Sequence, residues 1–324
     1  MLKINRRLTA LLAALVMLVT LFSGCSSQGR TPPGAESAPQ PVEPPVSSSS
    51  EPEELPDPEP EPEPEPEEEI SQPEEPHALA MSAEFAEFAA LDSTRKDWGP
   101  GGPVDDKNRS QGSLAYNKLY GKYNATFLEE DSEKIYLTFD QGYENGYTAS
   151  ILDTLKEKNV QAAFFITMPY LKEHTDLVRR MVEEGHIVGN HTVNHPSMPS
   201  VTDDGKLQAE LTGLSKAFKE KFGADMQYVR PPKGEYNERT LRITRDMGYK
   251  NVFWSFAYQD WDQNTSHGKE YAYNKVMAGL HGGAVILLHA VSRDNAEALG
   301  DIIDGARAKG YVFRSLDEYV KNEA

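Results

Sequence analysis

Short apolar runs alternate with amphipathic stretches from about residue 134 to the end of the chain. The run KIYLTFD is followed by YTASILDTLKEK, whose apolar residues recur at helical spacing, and this alternation returns about seven times. The later runs are AAFFI, HIVGN, QYVRP, NVFWSFA, AVILLH and YVFRS. Strands separated by helices in this way form a parallel sheet, either closed as a barrel or open and doubly wound. We favour an α/β barrel.

The same pattern divides the chain into segments. Residues 132–324 carry the alternation and suit one α/β domain. Residues 82–131 contain DWGPGGP and several tyrosines and are less periodic, so we expect an N-terminal segment that caps or flanks the domain. Residues 26–81 are rich in Pro, Ser and Glu and have almost no apolar content, which predicts a disordered tether.

The first 25 residues have the pattern of a leader. Basic residues precede the apolar run Leu8–Phe22, which is 15 residues long and too short to span a bilayer comfortably. The run ends in LFSGC, and Cys25 is the only cysteine of the chain. This arrangement resembles a bacterial lipobox, so we expect a signal peptide over residues 1–25 and a lipid anchor at Cys25; a plain secretory signal is the alternative. Either leader places the mature protein outside the cytoplasmic membrane, without a disulfide framework.

Acidic residues are concentrated in the tether. The formal net charge of the chain is −18, and residues 26–80 hold fifteen acidic residues against one arginine. The acidity therefore describes the tether more than the domain, and it argues against a nucleic-acid partner. A semi-rigid tether of about fifty residues would hold the domain away from a membrane surface, within reach of cell wall.

Polar side chains follow successive predicted strands at the point where each strand ends. They are Asp140, His191, Arg230, Asp260 with Trp261, and His289. The carboxyl ends of parallel strands form one face, and that face carries the chemistry in parallel βα folds. Each residue alone has an ordinary structural explanation, as a cap, a core histidine or a surface arginine. Their coincidence at the same point of successive repeats predicts a functional site.

The stretch HTVNH places His191 and His195 four residues apart. On a helical turn this spacing brings both imidazoles to one side, at about the separation that two ligands of one metal need. Two histidines that cap a turn are the alternative.

The stretches TFDQG, HTVNH, RPPKG, YQDW and ILLH, in this order, are similar to the five motifs of the polysaccharide deacetylase domain (NodB type, carbohydrate esterase family 4). The resemblance covers essentially the whole folded region. More narrowly, LTFDQGYENGYT, VFWSFAYQDW and ILLHAVSRDNAEAL resemble the delta-lactam-biosynthetic de-N-acetylases, which act on N-acetylmuramic acid in spore-cortex peptidoglycan. The resemblance implies a distorted (β/α)7 barrel that hydrolyses the acetamide of an amino sugar and releases acetate.

The resemblance also implies roles for the strand-end residues. Asp140 is expected to be the general base, and Arg230 to keep it ionised. His289 is expected to be the general acid, and Asp260 to hold it in the charged form. Three further residues are expected at the substrate: the backbone N–H of Lys233 on the oxyanion, Trp261 as a wall on the acid side, and Tyr143.

Gln141 is the departure from the family pattern. In most of the family an Asp and two His hold the metal, and the resemblance places Gln141, His191 and His195 at those positions. A neutral amide oxygen is a weaker ligand than a carboxylate, so we expect a weak divalent site, with Zn²⁺ suited to the two imidazoles. The site also keeps one more positive charge, which favours an anionic sugar such as muramic acid with its lactyl carboxylate.

Three functions stay open at this point. The first is a deacetylase of N-acetylmuramic acid that prepares muramic delta-lactam in spore cortex. The second is a wall deacetylase of N-acetylglucosamine or a chitin-like glycan, and the third is a lipoprotein that binds wall glycan without hydrolysing it. The expected partner in each is a glycan strand of the wall. The expected place is the outer face of the cell membrane, through the lipid anchor, or the spore envelope.

Overall fold

The computed structural model describes residues 87–130 and 132–319. The predicted signal peptide, the lipid-anchor cysteine and the predicted tether lie outside the described residues. All of the described residues fall in one compact unit of the chain, Ile70–Ala324. Within them no helix combines the length and apolar character needed to cross a membrane.

Seven of the ten described strands fall where the apolar runs predict them, and the three others, at residues 96–97, 125–126 and 235–236, have no counterpart among those runs. The ten strands are β1 (Lys96–Asp97), β2 (Ala125–Thr126), β3 (Lys134–Gln141), β4 (Ala163–Ile166), β5 (Ile187–Asn190), β6 (Tyr228–Val229), β7 (Glu235–Tyr236), β8 (Lys250–Val252), β9 (Ala284–His289) and β10 (Val312–Phe313). β3 is buried over most of its length because a parallel sheet is covered on both faces.

Apart from the first helix, which lies in the less periodic N-terminal segment, the helices follow the amphipathic stretches. They are α1 (Gln111–Tyr120), α2 (Thr148–Glu157), α3 (Met168–Glu173), α4 (Thr175–Glu183), α5 (Asp204–Phe222), α6 (Glu238–Asp246), α7 (Lys269–Gly279) and α8 (Arg293–Ala308). α5 begins after Asp203, whose side chain accepts a hydrogen bond from the backbone of Lys206, and ends at Gly223 in the left-handed conformation.

The parallel sheet closes on itself. Its order is β10, β3, β4, β5, β6, β8 and β2, and β9 pairs with β3. After β8 the chain crosses to β9 through a parallel bridge between Phe256 and Ile286, where Leu287 N donates to the carbonyl of Phe256 at 2.9 Å. The strands from β3 through β8 therefore return to β9 and to β3. The prediction of a distorted (β/α)7 barrel is confirmed.

The alternation of side chains along β3 separates two cores. Ile135, Leu137 and Phe139 pack with the helices on the outside of the sheet, whereas Tyr136 packs with inward-facing aromatic residues such as Phe253. On this alternation Asp140 falls on the inner face with Tyr136. Residues packed on both faces of the sheet thus fix the position of the end of β3.

The N-terminal segment contributes more than a cap. β2 pairs in parallel with β8, and β1 forms a two-stranded antiparallel ribbon with β7. Trp98 is buried, and its indole nitrogen donates to the carbonyl of Trp254 at 2.9 Å. The boundary at residue 132 stays a prediction, but β2 lies before it and belongs to the barrel sheet.

Three elements are shorter than their patterns indicate. YLKEHTDLVRRMVEEG forms two helices because His174 leaves helical geometry between α3 and α4. NVFWSFA pairs as β8 only to Val252, after which the chain crosses to β9. In LDEYVK the described residues form a single 3-10 turn, Leu316–Glu318.

Candidate active site

Asp140 and His289 lie side by side at the carboxyl ends of neighbouring strands. β3 and β9 are paired in parallel, and their register sets Asp140 against His289. Parallel strands end at the same edge of a sheet, so the two side chains share the mouth of the barrel. The backbone register therefore brings a carboxylate and an imidazole to one place.

The Asp140 carboxylate is paired with a buried guanidinium. Arg230 Nη1 donates to Asp140 Oδ1 at 2.8 Å. Burial alone would raise the pKa of Asp140, but the charge and hydrogen bond of Arg230, together with the nearby His191 and His289, outweigh burial and hold that pKa below its usual range. Asp140 is therefore ionised at neutral pH, which is the form that a general base needs.

Arg230 is fully enclosed and its orientation is fixed. Nε donates to the carbonyl of Val252 at 3.0 Å. Nη2 donates to Thr138 Oγ1 at 2.8 Å and to the carbonyl of Phe253 at 3.2 Å. With its donors directed at protein atoms, Arg230 sets the charge and rotation of Asp140 and is not itself exposed to a substrate.

His289 is paired with Asp260 on the other side of the mouth. His289 Nδ1 lies 2.7 Å from Asp260 Oδ1, and His289 N donates to Asp260 Oδ2 at 2.8 Å. Because a carboxylate accepts, Nδ1 carries the proton. Burial would lower the pKa of His289, but the charge and hydrogen bond of Asp260, together with the charge of Asp140, outweigh burial and raise that pKa above its usual value. His289 is thus held in the state that can donate a proton.

Two exposed aromatic side chains border the acid side. Trp261 is 49% exposed, and its ring centre lies 5.8 Å from that of His289. Tyr143 is 48% exposed, and its hydroxyl donates to the carbonyl of Trp261 at 2.7 Å. Large exposed rings beside a polar centre are suited to contact with the apolar face of a sugar.

His191 and His195 follow β5 in a loop, so the prediction of a helical turn is wrong. Thr192 and His195 have positive φ angles of 71° and 55°, which no helix accommodates. His195 N donates to Thr192 Oγ1 at 3.0 Å and closes this turn. The two imidazole centres still lie 4.8 Å apart, so the pairing of the rings is present without the helix. Strained backbone of this kind is concentrated at functional sites.

Both of these imidazoles are neutral. His191 Nδ1 donates to the carbonyl oxygen of Arg230 at 2.8 Å, so in the neutral ring the proton lies on Nδ1 and Nε2 carries none. Nε2 lies 3.6 Å from Asp140 Oδ2. Burial lowers the pKa of His191, and burial lowers the pKa of His195 to about 4. Neutral imidazole is the form that binds a metal.

Gln141 is buried at the end of β3, and Thr148 orients its amide. Gln141 Nε2 donates to Thr148 Oγ1 at 3.3 Å, and that hydroxyl donates to Glu144 Oε2 at 2.5 Å. Gln141 Oε1 is buried without a hydrogen-bond partner among the described residues.

An unpaired amide oxygen and two neutral imidazoles fit the ligand chemistry of a borderline divalent ion. In the described ranges no group of three or more His, Cys, Asp or Glu could hold a metal. The weak divalent site therefore depends on Gln141 and stays a prediction.

Lys233 lies on a tight turn after Arg230. The turn Pro232–Gly234 has Lys233 at φ 60° and Gly234 at φ 70°. The Lys233 side chain is exposed and has no partner among the described residues, and its charge contributes to lowering the pKa of His195. An unpaired cation thus stands close to the histidine pair. The predicted contact of its backbone N–H with an oxyanion stays a prediction.

Two residues behind the acid pair, Asn295, which is buried, and Tyr258, which is partly buried, were not identified from the sequence. Asn295 Nδ2 donates to Asp260 Oδ2 at 2.6 Å, and Tyr258 Oη donates to Asn295 Oδ1 at 2.5 Å. In the sequence Asn295 stands in the first turn after a serine N-cap, a position where Asn is ordinary. Only the fold reveals that it faces Asp260.

The chain is similar in sequence to known polysaccharide deacetylases. A family model described as polysaccharide deacetylase matches residues 128–252. The chain is also 42% identical over 243 residues to the peptidoglycan-N-acetylmuramic acid deacetylase PdaA of Bacillus subtilis (strain 168), which covers 74% of this chain and 92% of that protein. The chain belongs to the polysaccharide deacetylase family.

Solved structures of polysaccharide deacetylases have the same barrel. The structure of Bacillus subtilis PdaA, a family 4 carbohydrate esterase, is 39% identical, with a TM-score of 0.67 over 71% of this chain and 98% of that one. A family 4 carbohydrate esterase from Bacillus anthracis is 44% identical, with a TM-score of 0.60 over 72% of this chain and 100% of that one. The resemblance noted in the sequence is confirmed at the level of family and fold.

Proposed function

We propose that this chain hydrolyses the N-acetyl group of N-acetylmuramic acid residues in peptidoglycan and releases acetate. The observation that carries the proposal is the facing pair of Asp140 and His289, each with its own counter-charge. One group is prepared to accept a proton and the other to donate one. Hydrolysis of an amide needs both groups, the base for the attack of water and the acid for the departure of the amine.

The reaction divides between the two sides of the mouth. Asp140 takes a proton from water as the water oxygen bonds to the acetyl carbon. His289 gives its proton to the amide nitrogen as the carbon–nitrogen bond breaks, which leaves acetate and the free amine. The Lys233 backbone N–H is proposed to bind the oxyanion formed between these steps.

Gln141, His191 and His195 are the residues proposed to hold a divalent ion. When bound, such an ion polarises the acetyl carbonyl and makes water more acidic. Arg230 keeps Asp140 ionised beside them, and Asp260 keeps His289 protonated.

Two features support muramic acid as the sugar. The relative that shares 42% identity is a peptidoglycan-N-acetylmuramic acid deacetylase. Lys233 places an unpaired cation near the histidine pair, where the lactyl carboxylate of a muramic acid residue would be neutralised. Tyr143 and Trp261 are proposed to contact the glycan on the acid side.

The cellular setting is part of the proposal. Peptidoglycan lies outside the cytoplasmic membrane, which agrees with the predicted leader and with the predicted lipid anchor at Cys25. The freed amine of muramic acid is the group that must condense with the lactyl carboxyl group, with loss of water, to close a lactam ring, so deacetylation is proposed as the step before muramic delta-lactam in spore cortex.

Acetate release from peptidoglycan glycan strands tests the hydrolysis. Wild type should release acetate, and Asp140→Asn should reduce turnover on the order of 10²–10⁴-fold while glycan binding is kept, because the amide has nearly the same shape but does not take up the proton. Equal release by the two proteins would exclude Asp140 as the base. Glycan binding without acetate release by wild type would identify a binding protein instead.

A further inference from the structure

The first turn of α8 packs against the segment that carries Asp260 and Trp261. Asn295 is buried there, and its Nδ2 donates to Asp260 Oδ2 at 2.6 Å. The same nitrogen lies 3.3 Å from the carbonyl oxygen of His289. One amide group therefore contacts both members of the acid pair from behind.

The orientation of this amide is fixed from two sides. An ionised carboxylate only accepts, so Nδ2 and not Oδ1 faces Asp260. Oδ1 then accepts from Tyr258 Oη at 2.5 Å. Burial raises the pKa of Tyr258, so its hydroxyl keeps its proton and stays a donor.

Asp260 has a task for each oxygen. Oδ1 accepts from His289 Nδ1, and Oδ2 accepts from the His289 backbone and from Asn295. The terminal torsion of an aspartate is broad, so the carboxylate needs fixed partners to keep one rotation. Asn295 supplies such a partner through a short, charge-assisted hydrogen bond.

We infer that Asn295, oriented by Tyr258, is a positioning residue that keeps Asp260 aligned with the Nδ1 atom of His289, an inference that rests on the function proposed above. It acts on the acid through Asp260 and touches no reacting atom. The preceding residue anchors the far end of the same segment: Asp294 accepts from Ser266 Oγ at 2.6 Å, from His267 N at 2.6 Å and from Gly268 N at 2.9 Å.

Asn295 and Tyr258 are both uncharged in the folded protein, and this makes the inference testable. The charged and titratable groups that act most strongly on His289 include Asp260, Asp140 and Arg230, and His191 also interacts with it. Removing the amide of Asn295 or the hydroxyl of Tyr258 changes none of these charges. A changed titration of His289 would therefore report altered alignment with Asp260.

The test compares Asn295→Ala and Tyr258→Phe with Tyr271→Phe in the full-length chain. The ring of Tyr271 lies 6.1 Å from that of Tyr258, so this control removes a neighbouring hydroxyl. The pH dependence of kcat and KM for acetate release, the pH titration of His289 by NMR and the Tm are measured for each. His289→Gln assigns the imidazole resonance.

The alkaline limb of kcat should move to lower pH in Asn295→Ala and Tyr258→Phe, because His289 loses its proton more easily when Asp260 is misaligned. At neutral pH kcat should fall about 10-fold to 100-fold in Asn295→Ala and less in Tyr258→Phe, with KM little changed. The NMR titration of His289 should shift in the same direction. Tyr271→Phe should match wild type.

A fall in Tm with the His289 titration and the alkaline limb unchanged would overturn the inference and leave a purely structural role. If Asn295→Ala does not fold, Tyr258→Phe decides by the same criteria. If wild type releases no acetate, the proposed function fails, and the NMR titration alone still decides whether Asn295 aligns Asp260.

Discussion

At the scale of single residues, the proposed metal site depends most on the side chain of Gln141. Its amide nitrogen is occupied by Thr148, and its oxygen is buried without a partner in the described part of the chain. A buried acceptor without a donor is unfavourable, and a cation would satisfy it. The neutral imidazoles of His191 and His195 complete a set of three uncharged ligand groups, which would coordinate a cation without cancelling its charge.

Gln141→Asp should therefore tighten Zn²⁺ binding, because a carboxylate beside two imidazoles adds charge attraction to ligation. Gln141→Leu should weaken it, because the oxygen is lost. Titration calorimetry of Zn²⁺ into wild type and the two variants measures the difference, and His195→Gln serves as the control for the site. Equal affinities in wild type, Gln141→Asp and Gln141→Leu would show that residue 141 does not bind the metal.

The positions of some residues at the mouth of the barrel could be predicted from the sequence, because they directly end an apolar strand. Asp140 and His289 end apolar strands, so their position at one edge followed from the alternation of strands and helices. The backbone of HTVNH was not predictable, because an i, i+4 spacing is compatible both with a helical turn and with the positive φ angles of Thr192 and His195. Asn295 and Tyr258 were missed because their contacts join residues far apart in sequence.

At the scale of elements, the turn that carries Lys233 is held by the N-terminal segment. Gly234 is at φ 70°, and a Cβ atom there would lie 2.8 Å from the Trp254 ring and 3.0 Å from the carbonyl oxygen of Trp98. Trp98 N also donates to the carbonyl of Gly234 at 2.9 Å. The turn is thus fixed both by its conformation and by close packing.

Gly234→Ala should destabilise the protein more than Gly223→Ala does. Gly223 is also at positive φ, at the end of α5, but no heavy atom lies within 4 Å of its added Cβ. Gly223→Ala should therefore lower the free energy of unfolding by about 1 kcal/mol through backbone strain. Gly234→Ala should lower it by about 2–4 kcal/mol, because overpacking adds about 1–3 kcal/mol. Urea unfolding measures both free energies. Equal decreases in the two variants would show that Trp98 and Trp254 move aside with no loss of stability.

Element positions followed the sequence more closely than element ends. α5 covers the whole predicted stretch DGKLQAELTGLSKAFKEKF, because Asp203 caps its start and Gly223 ends it. The break at His174 was not visible, because both halves of that stretch keep helical spacing. The closure of the barrel through Phe256 depends on pairing between distant strands, which periodicity alone does not contain.

At the scale of the whole molecule, the acidic tether and the catalytic domain are expected to act independently. Residues 26–76 have too few apolar residues to pack against a core. Deleting them should leave the Tm of the protein and its acetate release from dissolved glycan unchanged. A lower Tm would place the domain boundary earlier in the chain. Cys25→Ser should move the protein out of the membrane fraction, which cell fractionation measures.

The central claim is that this site removes acetyl groups from muramic acid, and the most direct test locates the sugar that loses its acetyl group. Tandem mass spectrometry of defined glycans, with and without stem peptides, gives that position after incubation with the full-length protein. We predict acetyl loss at muramic acid residues, a smaller loss with Lys233→Ala because the lactyl carboxylate is no longer neutralised, and no loss from N-acetylglucosamine oligomers. Acetyl loss at glucosamine residues, unaffected by Lys233→Ala, would contradict the account.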